Sequence, residues 1–106
     1  MKIHTNFQYT LVNIDESSFD ELEERFSRYN TNHLLLQLSK NVKIIDENIS
    51  LFLKISTSLK AKDMSFVLIK PGVDFDDFPE TLNIVPSIQE AKDILEMEAI
   101  ERDLGI

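Results

Sequence analysis

The chain has 106 residues, 42% of them apolar, and a net charge of −8 from 19 acidic and 11 basic side chains. That length fits one domain, 1–106, with a core of its own, and an acidic surface repels phosphates, so nucleic acid is not expected as a partner. There is no cysteine, which excludes disulfides, thiolate metal sites and cysteine nucleophiles and suits a reducing compartment.

The opening, MKIHTNFQYT, lacks the apolar stretch of a signal peptide. No apolar run approaches the roughly 20 residues that span a bilayer. A cytoplasmic protein without a membrane partner is therefore expected. Residues 1–4 read as a short partner strand turned at Thr5-Asn6. The next segment alternates, with Phe7, Tyr9 and Leu11 on one face and Gln8 and Thr10 on the other, which predicts a half-buried strand. SSFDELEERFSRY follows. Ser18 with Glu21, or Ser17 with Asp20, makes a capping box. Phe19, Leu22, Phe26 and Tyr29 share a helical face, and Glu21–Arg25 and Glu24–Arg28 are favourable i,i+4 pairs.

His33-Leu34-Leu35-Leu36-Gln37-Leu38 does not alternate, as expected of a central parallel strand buried on both faces. Ser39 to Lys43 is a loop. A second helix opens at Asp46, with Ile49, Phe52, Leu53, Ser56 and Leu59 on the 3.6-residue period and Leu51 and Ile55 widening the stripe. Asp46 is read as its cap, accepting from the amide of Asn48 or Ile49, with Glu47 complementing the helix dipole. Ser65 to Ile69 reads as another buried strand, stopped by Pro71-Gly72.

Residues 73–81 read as an irregular acidic connection. Counted as a calcium loop from Asp74, it has Pro79 and Val85 where glycine and glutamate are required, so its acids read as solvated and its phenylalanines as anchors to the core. Leu82 to Val85 is a short strand. Ser87 with Glu90 is a capping box that launches the last helix, where Ile88, Ala91, Leu95 and Ala99 form the face expected on the sheet. Met97, Ile100 and Leu104 gather on the opposite face and form a candidate docking stripe for a partner or a second copy, consistent with a monomer or weak homodimer. Strands alternating with helices predict an α/β fold with a mostly parallel sheet.

Several chemistries find no residues. The two glycines, Gly72 and Gly105, form no phosphate loop. His4 and His33 are isolated, so neither a metal site nor a nucleophilic triad is expected. No catalytic residue, metal or cofactor is assigned.

The order of elements resembles the STAS fold, shared by sulfate transporter tails and anti-sigma factor antagonists. Leu38-Ser39 matches the family's Leu-Ser step, and Val85-Pro86-Ser87-Ile88-Gln89-Glu90-Ala91 matches the common opening of its last helix. Asp46 takes the place of the aspartate in the family's Asp-Ser-Ser-Gly, once one extra loop residue is allowed. Glu47 and Asn48 stand at the two serines, the second of which is the family's phosphoacceptor, and Ile49 stands at the glycine. Asparagine takes no phosphate. The family's third helix looks reduced to Asp74–Phe78.

The resemblance implies a small mixed, mostly parallel sheet with helices packed on it. It implies a non-enzymatic, regulatory protein-interaction domain whose partner face comprises Ser39, Asp46, Glu47, Asn48, Ile49 and Ser50. A small-molecule or nucleotide-binding module is the alternative. The tail from Glu96 to Gly105 also resembles small bacterial proteins, some of which carry the name ribonuclease Z. That enzyme needs a His-x-His-x-Asp-His motif, which two isolated histidines do not supply.

Overall fold

The computed structural model describes residues 2–15, 19–29, 32–72, 74, 76 and 78–105, with the side chains of 26–29 outside the description. The elements run β1 (Lys2–Thr5), β2 (Tyr9–Ile14), α1 (Phe19–Tyr29), β3 (His33–Leu38), α2 (Asp46–Lys60), β4 (Phe66–Ile69), β5 (Asn83–Val85) and α3 (Ile88–Asp103). The strands form one sheet in the order β1-β2-β3-β4-β5. β1 pairs antiparallel with β2, and every other pairing is parallel. The fold is thus the expected α/β class.

Each strand of the pleated sheet sends alternate residues to opposite faces. One face carries Val12, Ile14, Leu34, Leu36, Leu38, Phe66, Leu68 and Ile84, packed with Leu22 of α1 and Phe52, Ile55 and Leu59 of α2. The other carries Leu35, Val67 and Ile69, packed with Ala91 of α3 and flanked by half-buried Tyr9, Leu11, Ile88 and Leu95. Helices on both faces explain why β3 and β4 do not alternate and are mostly apolar.

Two expectations need correction here. In β2 the deeply buried residues are Thr10, Val12 and Ile14, whereas Tyr9 and Leu11 are only half-buried and Phe7, before the strand, is 93% exposed. The alternation was real, but the deeper face is the one covered by α1 and α2. In α3, Ala99 is exposed although Ala91 is buried. In the acidic connection, half-buried Phe78 packs on the main core, and the Asp74 carboxylate accepts from the Asp76 amide at 3.1 Å; residues 73, 75 and 77 lie outside the description. So do the serines of the first capping box and the side chain of Arg28. The Glu21–Arg25 pair forms at 3.2 Å.

Candidate functional site

The carboxyl ends of β2, β3 and β4 and the start of α2 hold the residues singled out in sequence. In open α/β sheets ligands and partners commonly gather at these strand ends. The Ser39 amide donates to the Ile14 carbonyl at 3.2 Å, and its carbonyl accepts from Val42 at 3.1 Å. Lys70 Nζ donates to the Lys40 carbonyl at 3.1 Å, tying the loop after β4 to the loop after β3.

The helix cap differs from expectation. Ile45, in extended conformation (φ −107°, ψ 170°), is the N-cap residue, and Asp46 is the first helical residue. The Asn48 side-chain oxygen accepts from the Ile45 amide at 3.0 Å. The Ile45 carbonyl accepts from the amides of Asn48 and Ile49 at 2.9 and 3.1 Å. An isoleucine side chain has no acceptor, so half of a capping box is present, and Asn48 supplies it. Asp46 lies one position too late to cap and can only complement the helix dipole, together with Glu47. Aspartate and asparagine have similar helix propensities, so the propensity gained on mutation to alanine largely cancels in a comparison. Asn48→Ala is therefore expected to destabilise the fold by about 1 kcal/mol more than Asp46→Ala, measured by urea unfolding.

Ser39, Asp46, Glu47 and Ser50 are exposed, and Asn48 and Ile49 half-buried. Glu47, Asn48 and Ser50 line an open groove of 410 Å³ with Phe19 and Glu23 of α1 and Lys54 of α2. Asn48 also lines a second one of 340 Å³, with Phe19, Lys43 and Ile45. Ile49 faces a third, of 460 Å³, with Val42, Lys70 and Phe78. The structure therefore brings Glu47, Asn48, Ile49 and Ser50 together around the start of α2, while Ser39 and Asp46 line none of these grooves. Met97, Ile100 and Leu104 of the docking stripe are 53%, 59% and 69% exposed, on the side of α3 turned away from the sheet.

A polar cluster that sequence reading missed lies under the second half of α3. Ser65, 2% exposed, is held by three hydrogen bonds. Its amide donates to His33 Nδ1 at 2.9 Å, its carbonyl accepts from Leu34 at 2.9 Å, and its hydroxyl accepts from Arg102 Nη2 at 2.6 Å. Arg102 also lies 3.9 Å from Glu98, whose other oxygen accepts from Asn83 Nδ2 at 3.0 Å. The available signal was the i,i+4 spacing of Glu98 and Arg102 on the same side of α3 as Ala91.

Burial lowers the His33 pKa below 6.5, helped by the Arg102 charge and opposed by Glu98. A histidine with a lowered folded pKa binds fewer protons folded than unfolded, so stability rises with pH in that window. The contribution is complete above 6.5 and is lost as pH falls from there through the lowered folded value. Protonation would also place a hydrogen on Nδ1 against the Ser65 amide. His33→Gln should therefore flatten the fall in melting temperature between about pH 7 and about pH 5. Equal slopes for wild type and His33→Gln would contradict this.

Among the described residues no group of three or more His, Asp or Glu side chains is placed to hold a metal ion, and no helix is long and apolar enough to cross a membrane. No protein-family model matches the chain, and no curated protein matches it.

Proposed function

We propose that the chain is a cytoplasmic, non-enzymatic protein-interaction domain of STAS type that binds a protein partner at the start of α2. The observation that carries this reading is Ile45. It is 55% exposed at an N-cap position, where Ser, Thr, Asp or Asn is preferred because its side-chain oxygen satisfies a helix amide. Isoleucine serves neither that cap nor the core. Exposed Asp46 and Glu47 follow it directly, and it lines two open grooves together with Lys43. An apolar anchor within a polar rim is the composition of a protein interface centre.

The STAS resemblance supports the same end of the sheet, through the order of elements and through Leu38-Ser39, Asp46 and the run from Val85 to Ala91. With Glu47 and Asn48 at the serine positions, binding at this face is not switched by phosphorylation. Glu47 offers one negative charge where a phosphoserine carries nearly two. The partner is a protein, the chain is a monomer or weak homodimer, and neither nucleic acid nor membrane is involved.

A photoreactive residue introduced at position 45 in native cells should give a discrete protein adduct, and one at Thr57, exposed further along α2, should not. Ile45→Lys should abolish partner capture while leaving stability within about 0.5 kcal/mol of wild type. The same adducts from both positions would overturn the assignment. Stoichiometric phosphate on Ser39 or Ser50 by intact mass would overturn the unswitched reading.

A further inference from the structure

A different concavity lies at the opposite end of the sheet, between the turn joining β1 to β2 and the middle of α3. Its volume is 360 Å³, within the range of about 300–1,000 Å³ usual for small-molecule sites. It shares no residue with the start of α2, and nothing in its argument depends on the reading of that face.

Phe7 is the first unusual feature. At 93% exposed, it contributes almost nothing to the core, yet the turn that presents it is firmly built. The Asn6 side-chain oxygen accepts from the amides of Gln8 and Tyr9 at 2.8 and 2.9 Å. The Asn6 amide donates to the Tyr9 carbonyl at 3.0 Å. The Asn32 side chain then fixes this turn to β3, donating to the Asn6 carbonyl at 2.9 Å and accepting from the His33 amide at 2.8 Å. A large aromatic ring is thus held in water by a rigid frame, facing a groove whose other wall includes Leu95 and Ala99.

Two residues of the groove's lining, His33 and Lys92, carry N–H donors. Because His33 Nδ1 accepts from the Ser65 amide, the hydrogen of the neutral ring sits on Nε2. Among the described residues Nε2 has no acceptor. Lys92 Nζ lies 5.9 Å from the centroid of the Tyr9 ring, and among the described residues no carboxylate lies within ion-pair distance of it. An aromatic platform with a neutral N–H donor and an ammonium matches a ring that carries an anionic acceptor. Glu96 lines the same groove and, in a chain of net charge −8, it penalises ligands with two negative charges.

We propose that this groove binds a small aromatic monocarboxylate, its ring against Phe7, Leu95 and Ala99 and its carboxylate held by His33 Nε2–H and Lys92. Titration of the isotope-labelled intact chain with phenylacetate, followed by heteronuclear NMR, tests the site. Saturable shifts should centre on the amides of Phe7, Gln8, His33, Lys92 and Glu96. Phenylacetamide, which lacks the charge, and phenyl phosphate, which carries more of it, should each bind about tenfold more weakly. Phe7→Ser and Lys92→Gln alter side chains exposed to solvent. Each should keep the wild-type circular dichroism and lose about tenfold in affinity. No saturable shift at millimolar phenylacetate would overturn the proposal, as would shifts centred on Ile45–Ser50, equal binding of the amide, or unchanged affinity in both variants.

Discussion

Phe52→Ala should cost about 3–5 kcal/mol of folding stability, read from urea unfolding of wild type and variant. Phe52 is fully buried and joins α1, α2 and the sheet. Its ring centroid lies 6.0 Å from that of Phe19 and 6.4 Å from that of Phe66, tilted at 49° and 43°. Tilted aromatic pairs add roughly 0.5–1.5 kcal/mol to simple burial, and alanine removes both pairs and leaves a cavity between three elements. The loss is a large share of the roughly 5–15 kcal/mol that holds a domain folded. Phe52→Leu keeps most of the volume and should cost well under half as much. A loss below about 1 kcal/mol for the alanine variant would mean that this position can collapse and that α2 is not fixed through Phe52.

Arg102→Leu should cost about 2 kcal/mol, the range expected when a hydrogen bond to a charged group is lost. Leucine keeps much of the apolar stem but strands the Ser65 hydroxyl in a site only 2% exposed. It also removes the counter-charge beside Glu98. That ion pair adds under about 1 kcal/mol, because the Arg102 and Glu98 side chains keep 30% and 23% of their exposure. Ser65→Ala removes the other partner. In a double-mutant cycle the two changes should cost less together than summed, by about 1 kcal/mol. Strict additivity would show that the bond contributes nothing. Hydrogen exchange should quicken in α3 beyond Glu96 and stay near wild type around Ala91, since Asn83 and Ser65 anchor only the later turns.

The sequence patterns that translated directly were those with a period. The Leu-rich run was read as a strand over His33–Leu38, and that is its observed span. Leu34, Leu36, Leu38, Phe52, Phe66 and Leu68 are all buried as expected. Ser87 caps α3, accepting from the Glu90 amide at 3.3 Å, because a serine three residues before a glutamate has a local partner to find. The misreadings arose where the decision was not local. Alternation in β2 separates two faces but cannot say which receives two helices and which receives one.

At the start of α2 both Asp46 and Asn48 are able acceptors. The extended conformation of Ile45 decides between them, and composition carries no trace of that angle. The Ser65 cluster spans 37 residues to Arg102 and 32 to His33, distances at which no spacing rule operates. Of the residues expected to form a partner face, Glu47, Asn48, Ile49 and Ser50 line grooves around one helix start, and Ser39 and Asp46 do not. The 55% exposure of Ile45 is set by how the loop enters α2, which no local sequence pattern records.

The order β1-β2-β3-β4-β5 bears on how the chain reaches its folded state. Every strand lies beside its predecessor in sequence, so no segment must wait for one made much later to be inserted between its neighbours. The hairpin of β1 and β2 can close first. Each parallel strand then needs only the segment preceding it before it can add to a growing edge, which keeps the entropy of loop closure low. During synthesis the sheet can widen in the direction of translation, and α3 arrives last to cover the face of Leu35, Val67 and Ile69. Until it does, that face is bare, so a nascent chain stalled before Ile88 would be the species most prone to aggregate.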